Sequence, residues 1–415
     1  MAAAVTLAQG GIPVTVYEAA RTLGGRARRV SLGGTDFDNG QHILLGAYRE
    51  TLELMRTVGA DPDRLLRRMP LEVLFADGFH LRASRLPHPV NLLVALFAAK
   101  GLDFAGAFEA ARFVARLRRH EFRVAPDRSV DQLLRENGQG AIIRSHLWEP
   151  LCVSALNTPV ARASAQTFAN VLRDSLGGSR TSSDLLLALT DLSRLFPEPA
   201  AEYIRSRNGS VVTGSPVRSL AKDDRGFRLD DRPQRYSGVI VACAPQHAPP
   251  LLAAFPELVR ARRLIERFEY EPIVTCYLRY PRSVPFSAPM LGFTGGILQW
   301  VFDRSRPGSG DSLLAAVISA SGVHEELDRE SLARRIDAEL RAALPALPTL
   351  ASWEIIAEKR ATFSCRPGIE RPDGGTPLRG LTIAGDYVAG PHPATIEGAV
   401  RSGIASARLT LEQRR

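Results

Sequence analysis

The sequence predicts an α/β fold built on a doubly wound, dinucleotide-binding sheet, and two distant stretches carry that expectation. Near the start, Ala2 to Gln9 reads as a small apolar helix, Gly10-Gly11 as its stop, and Ile12 to Tyr17 (IPVTVY) as a β-branched strand closed by Glu18. Near the end, Leu381 to Ala407 (LTIAGDYVAGPHPATIEGAVRSGIASA) reads as a strand ending in Gly385-Asp386, a Gly/Pro loop, and a helix with Ile396, Ala399, Val400, Ile404 and Ala407 on one face. The third observation is scale: 415 residues with 45% hydrophobic content can bury a large core and imply two or more domains.

Helix, glycine turn, strand and terminal acid form the second half of a dinucleotide-binding βαβ unit, in which Glu18 would bond adenosine ribose hydroxyls. In such units the glycine loop precedes the acid by about 20 residues. The expectation is therefore a fold lacking its first strand and glycine loop, with the chain beginning inside the first helix. After Glu18, Gly24-Gly25 allows close backbone approach and Arg26 and Arg28 can meet phosphate oxygens. At the other end, small residues around Gly385 let the backbone approach a ligand, and Asp386 offers an acceptor for sugar-type hydroxyls. The N–H groups of Thr395, Ile396 and Glu397 make an anion-attracting helix end. An ordinary strand-to-helix junction would have much the same sequence.

In Asp36 to Leu45 (DFDNGQHILL), polar Asp38, Asn39, Gln41 and His42 interrupt apolar runs around Gly40, so local turns or a ligand must satisfy them. Two short strands from Leu71 to Ala83 flank Ala76-Asp77-Gly78, a hairpin signal. From Pro87 to Arg119 two greasy helices place Leu92, Leu93, Leu96, Phe97, Phe104, Phe108, Phe113 and Leu117 on amphipathic faces ending in arginines. They read as a buried helical pair; the rival is a membrane-dipping or substrate-tunnel element. Ser129 caps a helix running to Asn137-Gly138, and Ser164 caps one ending at Gly177-Gly178. The solitary Cys152 between them reads as packing.

The sheet resumes after Asn208-Gly209 with SVVT, Pro216 to Leu220, an Asp223 to Gly226 turn, FRLD, and Gly238 to Cys243. Pro272 to Tyr280 and Gly296 to Asp303 read as strands of a second sheet, with Trp300 and Phe302 on its one buried face. Asp328 to Leu344 reads as an amphipathic helix, and Ser352 to Phe363 leads back to the first sheet.

Composition narrows the classes. A net charge of +9 comes almost wholly from scattered arginines, Lys100, Lys222 and Lys359 being the lysines, so a nucleic-acid partner is not expected. Cys152, Cys243, Cys276 and Cys365 lie far apart without metal-ligand spacing, so neither a disulfide framework nor a metal site is expected. No run of about 20 apolar residues and no leader pattern is read, which places the expectation in the cytoplasm.

The Leu381 to Ala407 stretch resembles the C-terminal flavin-binding signature of the flavin amine oxidase and phytoene desaturase superfamily. The stretches Asp38 to Gly59, Leu147 to Phe168 and Ala361 to Pro372 are similar to its squalene-associated FAD-dependent desaturases, the hydroxysqualene dehydroxylase group of hopanoid biosynthesis. The resemblance covers nearly the whole chain and departs only at the N-terminal glycine motif. It implies a two-dinucleotide-binding-domain flavoprotein: a Rossmann-like FAD domain at 1–60, 205–250 and 360–415, and a mixed-sheet and helical substrate domain at 61–204 and 251–359. FAD would be held by Glu18, Gly24, Gly25, Arg26, Val217, Gly385, Asp386, Thr395, Ile396 and Glu397, with His42 and Gln41 as polar candidates for catalysis. The implied reaction is reductive dehydroxylation of hydroxysqualene to squalene. Implied partners are a long-chain isoprenoid, peripheral contact with the inner face of the cytoplasmic membrane, and other squalene-synthesis enzymes. Two other readings stay open: a carotenoid-type desaturase or amine oxidase, and a truncated, non-catalytic isoprenoid-binding or scaffold protein.

Overall fold

A computed structural model describes residues 1–413 except 177, 285, 287 and 306–309, so the helix stop read at Gly177 lies outside the described residues. Helix α1 (Ala2–Gln9) turns through Gly11, at φ +73°, into strand β1 (Thr15–Tyr17). The hairpin β2 (Arg29–Leu32) and β3 (Thr35–Asp38) follows, then β4 (Ile43–Leu45), α2 (Arg49–Thr57), β5 (Leu66–Met69), and the hairpin β6 (Glu72–Leu74) and β7 (His80–Arg82). A helical region holds α3 (Val90–Phe97), α4 (Phe104–Arg119), α5 (Val130–Glu136), α6 (Glu149–Leu156) and α7 (Ala165–Leu176). Next come β8 (Leu185–Ala188), α8 (Pro197–Ser206), β9 (Ser210–Val212), β10 (Leu220–Asp223), β11 (Gly226–Leu229) and β12 (Val239–Val241). The second half contains β13 (Tyr270–Tyr280), β14 (Met290–Gly292), β15 (Trp300–Asp303), β16 (Ser312–Ser319), α9 (Arg329–Ala343), β17 (Ser352–Phe363), β18 (Leu381–Ile383) and α10 (Ile396–Glu412).

The doubly wound part consists of two parallel ladders, β1 beside β9 and β12 beside β18. Both sit under α1 and α10, because Ile12, Val14 and Ile240 share one apolar cluster with Ala3, Leu7 and Ala407. Ser210 N–H donates to Val14 and Glu18 N–H to Val212, so in β1 the backbone groups of Thr15 and Tyr17 point to the unpaired edge. By the same parity Ile240 points away from β18. No ladder joins these edges among the described residues, and the hydroxyls of Tyr17 and Tyr236 meet across the interval at 2.8 Å.

The second sheet is antiparallel, in the order β14-β15-β16-β13-β17. Its residues sort by alternation: Val274, Cys276, Leu278, Val301 and Ala316 face the helix α9, whereas Tyr277, Trp300, Phe302, Ala315 and Val317 face the main core. The one-sided burial expected for β15 is thus corrected, since Trp300, Val301 and Phe302 are all buried. The cause is α9, whose Leu332, Ala333, Ile336 and Leu340 cover the far face. Among the other expectations, the β6–β7 hairpin and the Ser129 cap form as read, while Pro216 to Ser219 is irregular and β10 starts only at Leu220. No described helix is long and apolar enough to cross a membrane.

Candidate functional site

Parallel strands leave their carboxyl ends in a row, which is where ligands bind in such sheets. Glu18 follows β1 there, and its Oε1 accepts from Ala20 N–H at 2.8 Å, fixing the turn out of the strand. The chain then bends sharply at Gly24, at φ +120°, where a Cβ would come within 2.4 Å of the Ala27 carbonyl. Gly25, at φ +61°, is open on its Cβ side.

This bend delivers Arg26 to Asp386 at the end of β18. Their ion pair measures 2.5 Å, and Arg26 also donates to the Ala361 carbonyl. Burial works against the guanidinium, yet the Asp386 carboxylate wins and raises its pKa, so Arg26 stays charged. Two residues read separately as cofactor contacts, 360 positions apart, are one unit. Beside them Tyr387 is buried with its hydroxyl unpartnered, and desolvation keeps the phenol protonated far above its usual range.

A second polar cluster gathers at Gly40, where φ is +90°. His42 Nδ1 lies 3.0 Å from the Gly40 carbonyl. A carbonyl only accepts, so Nδ1 carries the hydrogen and Nε2 is an acceptor. Burial lowers the His42 pKa, with a smaller contribution from the Arg26 charge, so the ring is neutral near pH 7. Gln41 Nε2 donates to the His42 carbonyl at 3.2 Å, while its Oε1 is buried without a partner. Thr275, at the middle of β13, reaches the same place: its Oγ1 would be 3.7 Å from a Cβ on Gly40 and is likewise buried and unpartnered. The sequence reading missed Thr275 and Tyr387. Their signals were a lone hydroxyl in the apolar run IVTCYL and an aromatic directly after Gly-Asp.

The α10 helix starts at Thr395, whose Oγ1 accepts from Gly398 N–H at 3.0 Å. The N–H groups of Ile396 and Glu397 have no acceptor among the described residues. Gly398 is required by crowding, because a Cβ there would sit 1.9 Å from the His392 carbonyl. The Glu397 side chain points elsewhere. It is fully buried and accepts from Glu50 N–H (3.2 Å), Thr51 N–H (3.1 Å) and Thr51 Oγ1 (2.7 Å), capping α2, with Arg401 at 2.7 Å. Only its backbone is left for a ligand. His392 Nε2 is 3.3 Å from an Asp174 oxygen but out of hydrogen-bonding alignment. Burial and Arg401 lower its pKa, so this contact is not an ion pair. Val217 lies in the irregular segment between β9 and β10, half-buried against the core, with only backbone groups to offer.

Buried polar atoms without partners cost roughly 1–3 kcal/mol each. Gln41 Oε1, Thr275 Oγ1 and the Tyr387 hydroxyl are three such atoms. Together with Glu18, the Arg26–Asp386 pair and the open start of α10, they fit the flavin dinucleotide implied by the resemblance. The packing next to Thr275 is apolar and aromatic. Trp300 and Val317 share a cross-strand row with Thr275, Trp300 meets Phe75 at 5.4 Å between centroids, and Phe75 and Phe79 both pack on His146. Cys152 and Cys365 are fully buried with raised thiol pKa values, so neither acts as a nucleophile.

The family described as flavin containing amine oxidoreductase matches residues 1–411. The chain is 28% identical over its full length to the hydroxysqualene dehydroxylase of Sinorhizobium fredii, covering 96% of that protein. It is 29% identical, over 99% of its length and 96% of the relative, to the hydroxysqualene dehydroxylase of Rhodopseudomonas palustris. Among solved structures, cyclohexylamine oxidase from Brevibacterium oxydans superposes with a TM-score of 0.72 at 19% identity, covering 100% of this chain and 97% of that one.

Proposed function

The chain belongs to the flavin-containing amine oxidoreductase family and is an FAD-dependent oxidoreductase, and from that premise we propose that it converts hydroxysqualene to squalene by reductive dehydroxylation. The observation that carries the substrate is the end-to-end similarity to the two hydroxysqualene dehydroxylases. The reaction replaces a C–O bond with C–H: hydride reaches the carbinol carbon and the hydroxyl leaves as water after gaining a proton. Reduced FAD, when bound, supplies the hydride.

The chain's own residues do the rest. Residues 1–60, 205–250 and 360–415 hold the cofactor: Glu18 at the ribose, Gly24, Gly25 and Arg26 toward the phosphates, Val217 through its backbone, and Gly385 with Asp386 toward the ribityl chain. The N–H groups at the start of α10 favour negative charge on the flavin ring. Residues 61–204 and 251–359 form the substrate side, where the Phe75, Phe79 and Trp300 wall excludes water from a cationic carbon. His42, neutral with Nε2 as acceptor, orients the substrate hydroxyl and cannot protonate it at neutral pH. The proton comes from solvent and passes through a neutral O–H relay, for which the Thr275 hydroxyl beside Gly40 is available. A substrate of this kind dissolves in bilayers, so peripheral contact with the cytoplasmic membrane, delivery from other squalene-synthesis enzymes and a place in hopanoid biosynthesis belong to the same reading.

The test is anaerobic incubation of the chemically reduced holoprotein with hydroxysqualene, followed by the flavin spectrum and by mass spectrometry of the extracted lipid. Stoichiometric flavin reoxidation with squalene is expected. Unchanged flavin and no squalene would sink the assignment. Flavin reduction of the oxidised protein by a polyene would favour the desaturase reading.

A further inference from the structure

We propose that α3 and the first half of α4 form a lipid-docking face that seats the protein on an anionic bilayer. Helix α3 is apolar on two sides. Its Asn91, Ala95 and Leu96 are buried, while Val90, Leu93, Val94 and Phe97 repeat at three- and four-residue spacing on the opposite, exposed side. The Phe97 ring meets that of Phe104 at 5.1 Å, and Phe104 and Phe108, one turn apart on α4, are 76% and 55% exposed. A helix in water does not gain by presenting such a stripe, and a contiguous exposed apolar surface marks a contact with something apolar. The expectation of a buried helical pair is corrected accordingly: Phe113 and Leu117 are buried, but Leu93, Phe97, Phe104 and Phe108 are not.

Charge identifies the occupant. Arg85 precedes α3 and Lys100 follows it in the chain, and Arg112 and Arg116 continue the Phe104–Phe108 row of α4 at four-residue steps. All four are exposed, and none makes an ion pair among the described residues. The acids between Val90 and Arg119 are Asp103, whose Oδ1 caps α4 by accepting from Gly106 N–H at 2.9 Å, and the half-buried Glu109. Apolar side chains bordered by uncompensated cations match the acyl region and anionic headgroups of a bilayer leaflet. A protein partner would have to bring an apolar groove rimmed by acids.

The face stands on its own geometry and rests on the isoprenoid reading only for its purpose, extraction of substrate from the membrane. Flotation of the holoprotein with vesicles needs no turnover, so its outcome and that of the dehydroxylation assay are independent. The protein is expected to float with phosphatidylcholine/phosphatidylglycerol vesicles and much less with phosphatidylcholine alone. The double variant F104S/F108S is expected to weaken binding by about tenfold or more, since each ring is worth about that much on leaving water, with melting temperature and flavin content unchanged. The double variant R112Q/R116Q is expected to weaken binding only to the anionic vesicles. Failure of the wild type to float, or equal flotation of wild type and F104S/F108S, overturns the proposal. So does a wild-type dimer that F104S/F108S converts to monomer without any vesicle binding, which would assign the face to a second copy of the chain.

Discussion

Replacing Glu397 is expected to destabilise the protein far more than it impairs flavin chemistry. The carboxylate is fully buried, and it accepts from two N–H groups at the start of α2 and from the Thr51 hydroxyl. Glu397→Ala leaves Thr51 N–H and Oγ1 buried without an acceptor, at roughly 1–3 kcal/mol each, and uncouples α10 from α2. The Arg401 ion pair adds little, because Arg401 is 37% exposed. The total comes to roughly 3–5 kcal/mol. At about 2–4 °C per kcal/mol for a cooperative unit of this scale, the melting temperature falls by roughly 6–20 °C. Glu397→Gln keeps one acceptor oxygen but turns an N–H₂ toward donors, and falls in between. Thr51→Val removes one hydrogen bond and costs about 1 kcal/mol. Thermal melts of the three variants should rank Ala, Gln, Val from most to least damaged, with the flavin spectrum of the folded fraction preserved in Glu397→Gln. A wild-type melting temperature for Glu397→Ala, or loss of flavin from a fully stable Glu397→Gln, would refute the capping role and return the side chain to the cofactor.

Two further outcomes follow from the site. Arg26→Gln or Asp386→Asn breaks the 2.5 Å pair, and the loss of a charge-assisted hydrogen bond of roughly 1.5–3 kcal/mol should weaken FAD binding about ten- to hundredfold; stoichiometric flavin in both purified variants would count against their role. His42 has a lowered folded pKa, so between that value and the unfolded one the unfolded chain binds more protons. Its contribution to stability is therefore complete above the unfolded value and lost as pH falls through the folded one. His88, His324 and His392 are shifted in the same direction, so the informative quantity is the difference from His42→Asn, whose denaturant midpoint should fall less between pH 7 and acid. Identical acid sensitivity of the two proteins would show that His42 is not held neutral.

Much of the architecture was legible because it is local. Glycine at Gly11 and Gly24, the apolar run of β13, the cap at Ser129, and the three-to-four spacing in α4 and α10 each act within a few residues, so the pattern marks the element. The Glu18, Gly24-Gly25-Arg26 and Gly385-Asp386 signals were legible for the same reason, since a chain bending tightly around a ligand needs small residues beside polar ones.

What the sequence by itself determined, then, was the order of most elements, the family resemblance and the short glycine-and-acid motifs proposed to meet the cofactor. Only the tertiary structure decided which side chains find each other across long separations. Arg26 meets Asp386, Thr275 reaches the Gly40 loop, and Glu397 turns from the ligand side to cap a helix 346 positions away. It also decided that α9 buries the far face of the second sheet, and that Phe104 and Phe108 stay in the open. The physical reason is that periodicity shows that a face is apolar, whereas what covers that face depends on the packing of elements hundreds of residues apart.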